Sequence, residues 1–157
     1  MSVLFSWFDK FMMQLGRKSL ILDRNSSDPY LTRYYVFLRD RKKFPFNVFV
    51  HKFHKSDEIT PHDHPWPYAT LILSGGYWEY IPQFSSDGII SYEIGKWRGP
   101  GHFRICSSKS YHRIELKPGV TPWTLFMPGP QRRSWGFLTK SGWIPHNEYL
   151  TDKAHNT

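Results

Sequence analysis

Two histidines separated by one residue, His62 and His64, stand in the segment Pro61-His62-Asp63-His64-Pro65-Trp66-Pro67. Side chains alternate along an extended chain, so residues two apart share a side. The spacing puts two imidazoles on one face, close enough to share a metal ion. Prolines at 61, 65 and 67 exclude helix here and stiffen the backbone, so the rings cost less entropy to fix. His112 supplies a third imidazole. In Tyr111-His112-Arg113-Ile114-Glu115-Leu116 it shares a face with Ile114 and Leu116, and a histidine on the apolar face of an alternating strand looks into the core. A lone histidine there reads as a buried neutral ring held by hydrogen bonds. Beside a His-x-His on another strand it reads as a metal ligand. Three neutral imidazoles suit a divalent transition metal (Fe, Zn, Ni, Mn or Cu), and they leave positions open to water, oxygen or substrate.

Four further residues are candidates for proton transfer or substrate binding. His54 and Asp57 lie just before the His-x-His and within reach of a pocket mouth, His54 as a fourth ligand or proton carrier. Glu79 or Asp63 offers a carboxylate partner to a histidine. Arg104 shares a strand face with His102 and Cys106, leading towards His112. An arginine grips a carboxylate through two parallel hydrogen bonds. With a net charge of +8, this predicts a small anionic substrate; the alternative is that Arg104 pairs with Glu79 or Glu93.

The elements that must position these residues are short. Leu4, Trp7, Phe8, Phe11, Met12 and Leu15 form a stripe at helical spacing, which predicts an amphipathic helix over 3–15, capped by Ser2 and ended at Gly16. The stripe is expected to pack on the outside of the β-domain or against a second subunit in a homodimer. Strands are predicted over 19–22, 30–38, 46–54, 68–73, 77–81, 89–94, 102–106, 111–116, 123–127 and 135–138, with a glycine-bounded turn over 95–101. The chain reads as one domain over 1–157: the helix within 1–18, a β-barrel over 19–150 and a flexible tail over 151–157.

Composition agrees. Aromatic residues make up 18% of the chain, which favours strands, and 12 Pro and 11 Gly suit many turns. The single Cys106 excludes an internal disulfide and predicts a reducing, cytoplasmic setting. No apolar run reaches the ~20 residues of a membrane span, and the start lacks the pattern of a secretory signal. The basic residues are scattered apart from Arg39-Asp40-Arg41-Lys42-Lys43, read as a solvated loop, so specific nucleic-acid binding is not expected.

The segment from His62 to Gly76 resembles the first motif of the cupin superfamily: His-x-His, a Glu a few residues on, then a Gly. His62, His64 and Gly76 match, while the Glu position falls on Ala69. Gly101 and His112 match the second motif, with Ser107, Lys109 and Leu116 at its Pro, Gly and Asn positions. The wording HDHPW, then SGGYWE, HRIEL and a late Trp-Gly-Phe, also resembles a group of uncharacterised cupins from bacteria and phages. The resemblance implies an all-β double-stranded β-helix, or jelly roll, with the site in its mouth. It implies a metal-binding protein and, foremost, a non-haem Fe(II) dioxygenase for a small organic molecule. Cupins of the thiol dioxygenase type are similar in using three histidines without the Glu. Two alternatives stand beside it: a metal-independent isomerase or epimerase with His62 or His112 as base, and a non-catalytic binding or assembly module of viral or phage origin.

Overall fold

The computed structural model describes residues 3–23, 26–39, 44–86 and 90–155. Ser2 and most of the basic run, residues 40–43, lie outside them.

Nine strands build two antiparallel sheets. One holds β1 (Lys18–Leu22), β2 (Pro29–Tyr35), β3 (Phe49–Phe53), β4 (Tyr68–Ser74), β7 (Phe103–Cys106) and β9 (Trp123–Pro128) in the order β1-β2-β3-β9-β4-β7. The other holds β5 (Tyr77–Phe84), β6 (Ile90–Arg98) and β8 (Arg113–Leu116) in the order β6-β5-β8. Strands far apart in the chain are neighbours, as in a jelly roll. Between the sheets Leu31, Phe53, Ile72, Tyr77 and Ile114 form a buried apolar cluster. A hairpin of β10 (Gly136–Thr139) and β11 (Gly142–Pro145) follows, then helix α2 (His146–His155). The stretch expected as an aromatic tail from 143 is held in place: Tyr149 stacks on Phe137 at 4.1 Å and His146 on Trp135 at 4.6 Å.

Cross-strand register decides what faces the interior. Arg33 pairs with His51, His51 with Thr124, and Thr124 with Ile72, so these side chains share one face of the large sheet. The opposite face carries Tyr34, Val50, Trp123 and Leu125, covered by helix α1 (Val3–Gln14) through Phe5, Phe8 and Met12. The expected stripe is corrected here. Met12 is buried, yet Leu4, Trp7, Phe11 and Leu15 are 69%, 63%, 41% and 52% exposed. Apolar residues occupy most of the helix circumference, and the sheet covers only the side defined by positions 5, 8 and 12.

Other boundaries also differ from the expected ones. β6 runs through Gly95 instead of turning there. Gly95 pairs with Tyr80, and a Cβ would sit 3.0 Å from the Tyr80 ring, so this glycine makes room for a neighbour within a strand. β2 and β3 stop short of the expected 38 and 46 because the buried side chain of Asn47 organises the connection. Its Oδ1 accepts the backbone N–H groups of Leu38 and Val48, and its Nδ2 donates to the Leu38 carbonyl.

Candidate metal centre

His62 and His64 sit on the proline-framed segment before β4, and His112 just before β8. The two segments are tied by a reciprocal backbone pair: His62 N–H donates to His112 O at 2.9 Å and His112 N–H to His62 O at 3.0 Å. The expected alternation holds. The His62 and His64 rings lie 5.2 Å apart, and each lies 5.2 Å from the His112 ring. Asp63, between them, points the opposite way and is fully buried. It accepts the Gly136 N–H at 2.7 Å and Trp143 Nε1–H at 3.1 Å, and pairs with Arg133 at 3.0 Å. That anchors the histidine segment to the β10–β11 hairpin. A Cβ at Gly136 would meet the Ile144 carbonyl at 2.2 Å, so the anchor requires glycine there.

One ligand nitrogen from each histidine lies within 4.8 Å of the other two. His64 Nε2 and His112 Nε2 are 3.0 Å apart. Two bonds of about 2.1 Å to one ion would bring nitrogens that close at roughly a right angle, so the donor set fits a transition metal. Burial, with the charges of His112, His62 and His51, holds His64 well below the usual histidine range, leaving it a neutral donor.

Glu79, on β5, orients His112. Its Oε1 lies 2.8 Å from His112 Nδ1, so a proton on Nδ1 turns the Nε2 lone pair towards His64. Its other oxygen accepts Arg98 Nε at 2.8 Å and pairs with Arg104. Burial alone would raise this carboxyl, but the hydrogen bonds from His112 and Arg98 and the charge of Arg104 outweigh it and hold it at about 2. Of the two carboxylates proposed for a histidine partner, the geometry selects Glu79.

The remaining candidates separate. Asp57 lines the cavity and accepts the Tyr30 hydroxyl and, at 2.7 Å, the Ile114 N–H. His54 is exposed and bonded to Thr32 at 2.7 Å, on the outer side of the large sheet and away from the cavity. Arg104 is committed to Glu79 and does not line the cavity. Ala69 faces the outer side, paired with Ile105 and Met127, while Tyr68 faces in with its hydroxyl 3.4 Å from His112 Nε2. The residue next to the departing motif position therefore shapes the site. Sequence reading missed Tyr68, Arg33 and His51, although strict alternation from Thr70 and Ile72 points Tyr68 inward.

The histidines open on a cavity of about 340 Å³, at the small end for organic ligands. Trp66, Tyr68, Phe126 and Trp135 give it aromatic walls, and Thr70, Thr124 and Arg33 add polar groups.

The sequence matches no family model and no curated protein. Solved structures do match. A cupin-2 domain protein from Rhodospirillum rubrum aligns with TM-score 0.57 and 14% identity over 80% of this chain and 78% of its own. The polyketide cyclase RemF from Streptomyces resistomycificus aligns at 0.55 and 18% over 77% and 78%. The Fe(II) enzyme HppE, crystallised with an alternative substrate, aligns at 0.53 and 8%, and the match spans 56% of its length. At such identities the likeness concerns the fold. The sandwich of two antiparallel sheets and these neighbours together establish that the chain has the cupin fold, a double-stranded β-helix with three histidines grouped at its cavity.

Proposed function

We propose that the chain is a metal-dependent cupin enzyme, a non-haem dioxygenase using iron, that acts on a small anionic organic molecule. The carrying observation is the convergence of His62, His64 and His112 beside an aromatic cavity that neither sheet fills. Bound there, iron supplies one-electron and oxygen chemistry that side chains alone lack. Glu79 fixes the His112 tautomer, the Tyr68 hydroxyl stands within reach to hand over or hold a proton, and the aromatic walls restrict water. Two of the structural neighbours are named enzymes of small-molecule chemistry, and one of them holds Fe(II), which supports the reading.

The test is anaerobic loading of untagged protein with Fe(II), followed by nitric oxide as an oxygen surrogate. One iron per chain, a spectral change with nitric oxide, and loss of iron in His64→Ala are the expected results. Failure to bind iron, or iron with no exchangeable position, removes the dioxygenase. A second reading is favoured by one observation, the buried His112–Glu79 pair beside the Tyr68 hydroxyl: a metal-free isomerase with His112 as base. Turnover that survives chelation would select it.

A further inference from the structure

The cavity holds a cation that the histidine cluster does not use. Arg33, on β2, faces inward from the large sheet and lines the cavity. Its Nε donates to His51 Nε2 at 3.0 Å, its guanidinium lies 4.7 Å over the Phe49 ring, and Tyr35 stands beside it. Four other arginines have counter-charges: Arg98 and Arg104 share Glu79, Arg113 takes Glu93 and Glu115, and Arg133 takes Asp63, while Arg17 donates to the backbone carbonyls of Tyr35 and Phe37. Arg33 pairs with no carboxylate among the described residues.

His51 does not supply the missing charge. It is buried and stacked between Phe49 at 5.8 Å and Phe126 at 5.1 Å. Burial and the charge of Arg33 hold it well below the usual histidine range, so it stays neutral and accepts. It therefore props the guanidinium by its Nε, while Tyr35 takes a further side-chain hydrogen bond; these two contacts use only part of the five N–H donors of the guanidinium. A desolvated, uncompensated cation is costly in a fold, and an anionic ligand removes that cost.

We propose that Arg33, propped by His51, is the anion seat of this cavity, and that its ligand is a small organic acid with one carboxylate and a flat apolar body. One unpaired cation matches one negative charge, and the planar edge of a guanidinium matches the two oxygens of a carboxylate. Trp66, Tyr68, Phe126 and Trp135 line the same cavity as Arg33 and the histidines and offer faces for a flat body. The proposal rests on the cavity being the substrate site of the reading above, and it moves the anion contact from Arg104 to Arg33.

The experiment is calorimetric titration of benzoate and of benzamide, its neutral isostere, into chelator-treated protein, with zinc titrated separately. A charge-assisted bidentate bond contributes about 1.5–3 kcal/mol, or about ten- to a hundredfold in affinity. Benzoate is expected to bind at least about tenfold more tightly than benzamide. Arg33→Met is expected to abolish that preference, and Arg33→Lys to retain part of it, with zinc affinity unchanged in both. Equal binding of the two probes, binding of neither at millimolar concentration, or a preference that survives in Arg33→Met overturns the proposal. The wild-type comparison decides even if the Met variant does not fold. Loss of zinc binding with the benzoate preference intact would sink the metal reading and leave the anion seat standing.

Discussion

The six-stranded sheet buries side chains on both faces, and it does so differently. The outer face is closed where helix α1 covers it: Trp123 stacks on Tyr34 at 5.5 Å and on Phe5 at 4.6 Å, and the hydroxyl of Tyr34 is satisfied by Asp9 at 2.5 Å. The inner face, made from alternate residues of the same strands, carries Arg33, His51, Thr70 and Thr124 around a space. One strand thus contributes stability with one set of side chains and a site with the next. Close packing on the outer face lets the inner face keep groups that would destabilise an ordinary core.

The comparison breaks most sharply at Trp123. Trp123→Ala removes the centre of the outer layer, and urea unfolding should show a loss of about 3–5 kcal/mol. Zinc affinity of the remaining folded protein should be unchanged. If the metal site weakens in step, the two faces are not independent.

Glu79→Gln comes next and acts on the inner side. It strands Arg98, Arg104 and the His112 proton, and a loss of about 3 kcal/mol is expected, at the low end for a broken buried pair because the arginines keep some exposure. Metal affinity should fall about 10–100-fold, the usual cost of losing a ligand's orienting partner. The sign with pH follows from the depressed pKa. The folded carboxyl titrates at about 2 and the unfolded one near 4.5, so the stabilisation is full above 4.5 and is lost as pH falls through about 2. Acid unfolding curves of wild type and Glu79→Gln should therefore converge below that window. Curves that stay parallel throughout would show that Glu79 gains nothing from its partners.

Tyr34→Phe tests the polar end of the outer face. It removes a hydrogen bond to a charged acceptor and should cost about 1.5 kcal/mol, read from the denaturant midpoint. Trp7→Ser should have the smallest effect, within about 0.5 kcal/mol, because that ring lies on the uncovered side of α1. A larger loss would mean that the exposed side of the helix is covered in solution by a second copy.

Much of this contrast could be read in the chain. His62 and His64 were legible because alternation is a local rule, and His112 because its neighbours Ile114 and Leu116 mark an apolar face. The spacing of short strands pointed to a β-sandwich or barrel, and the resemblance of the segment from His62 to Gly76 to the first cupin motif implied the jelly roll. What local rules could not give was pairing. Arg104 and Arg33 look alike in sequence, and only the three-dimensional arrangement shows that one is neutralised by Glu79 while the other is not. Helix α1 was placed correctly, but its apolar residues exceed what one sheet face can cover, so periodicity could not say which of them would be buried. The C-terminal helix was missed because its hold is tertiary, through Tyr149 on Phe137, and its own polar sequence gives little sign of it.

The reciprocal backbone pair between His62 and His112 bears on the order of events in the life of the protein. The ligand segments, 48 residues apart from His64 to His112, are joined by peptide hydrogen bonds and by the sheets behind them. Closing that loop is therefore accomplished by folding, not by an ion. Small domains that gather their ligands only around the metal are unfolded without it. Under the metal-dependent reading proposed above, a chain joined in this way would fold first and take up its ion afterwards. The identity of the resident metal would then be set by supply at the moment of loading and by exchange afterwards, rather than by the folding reaction.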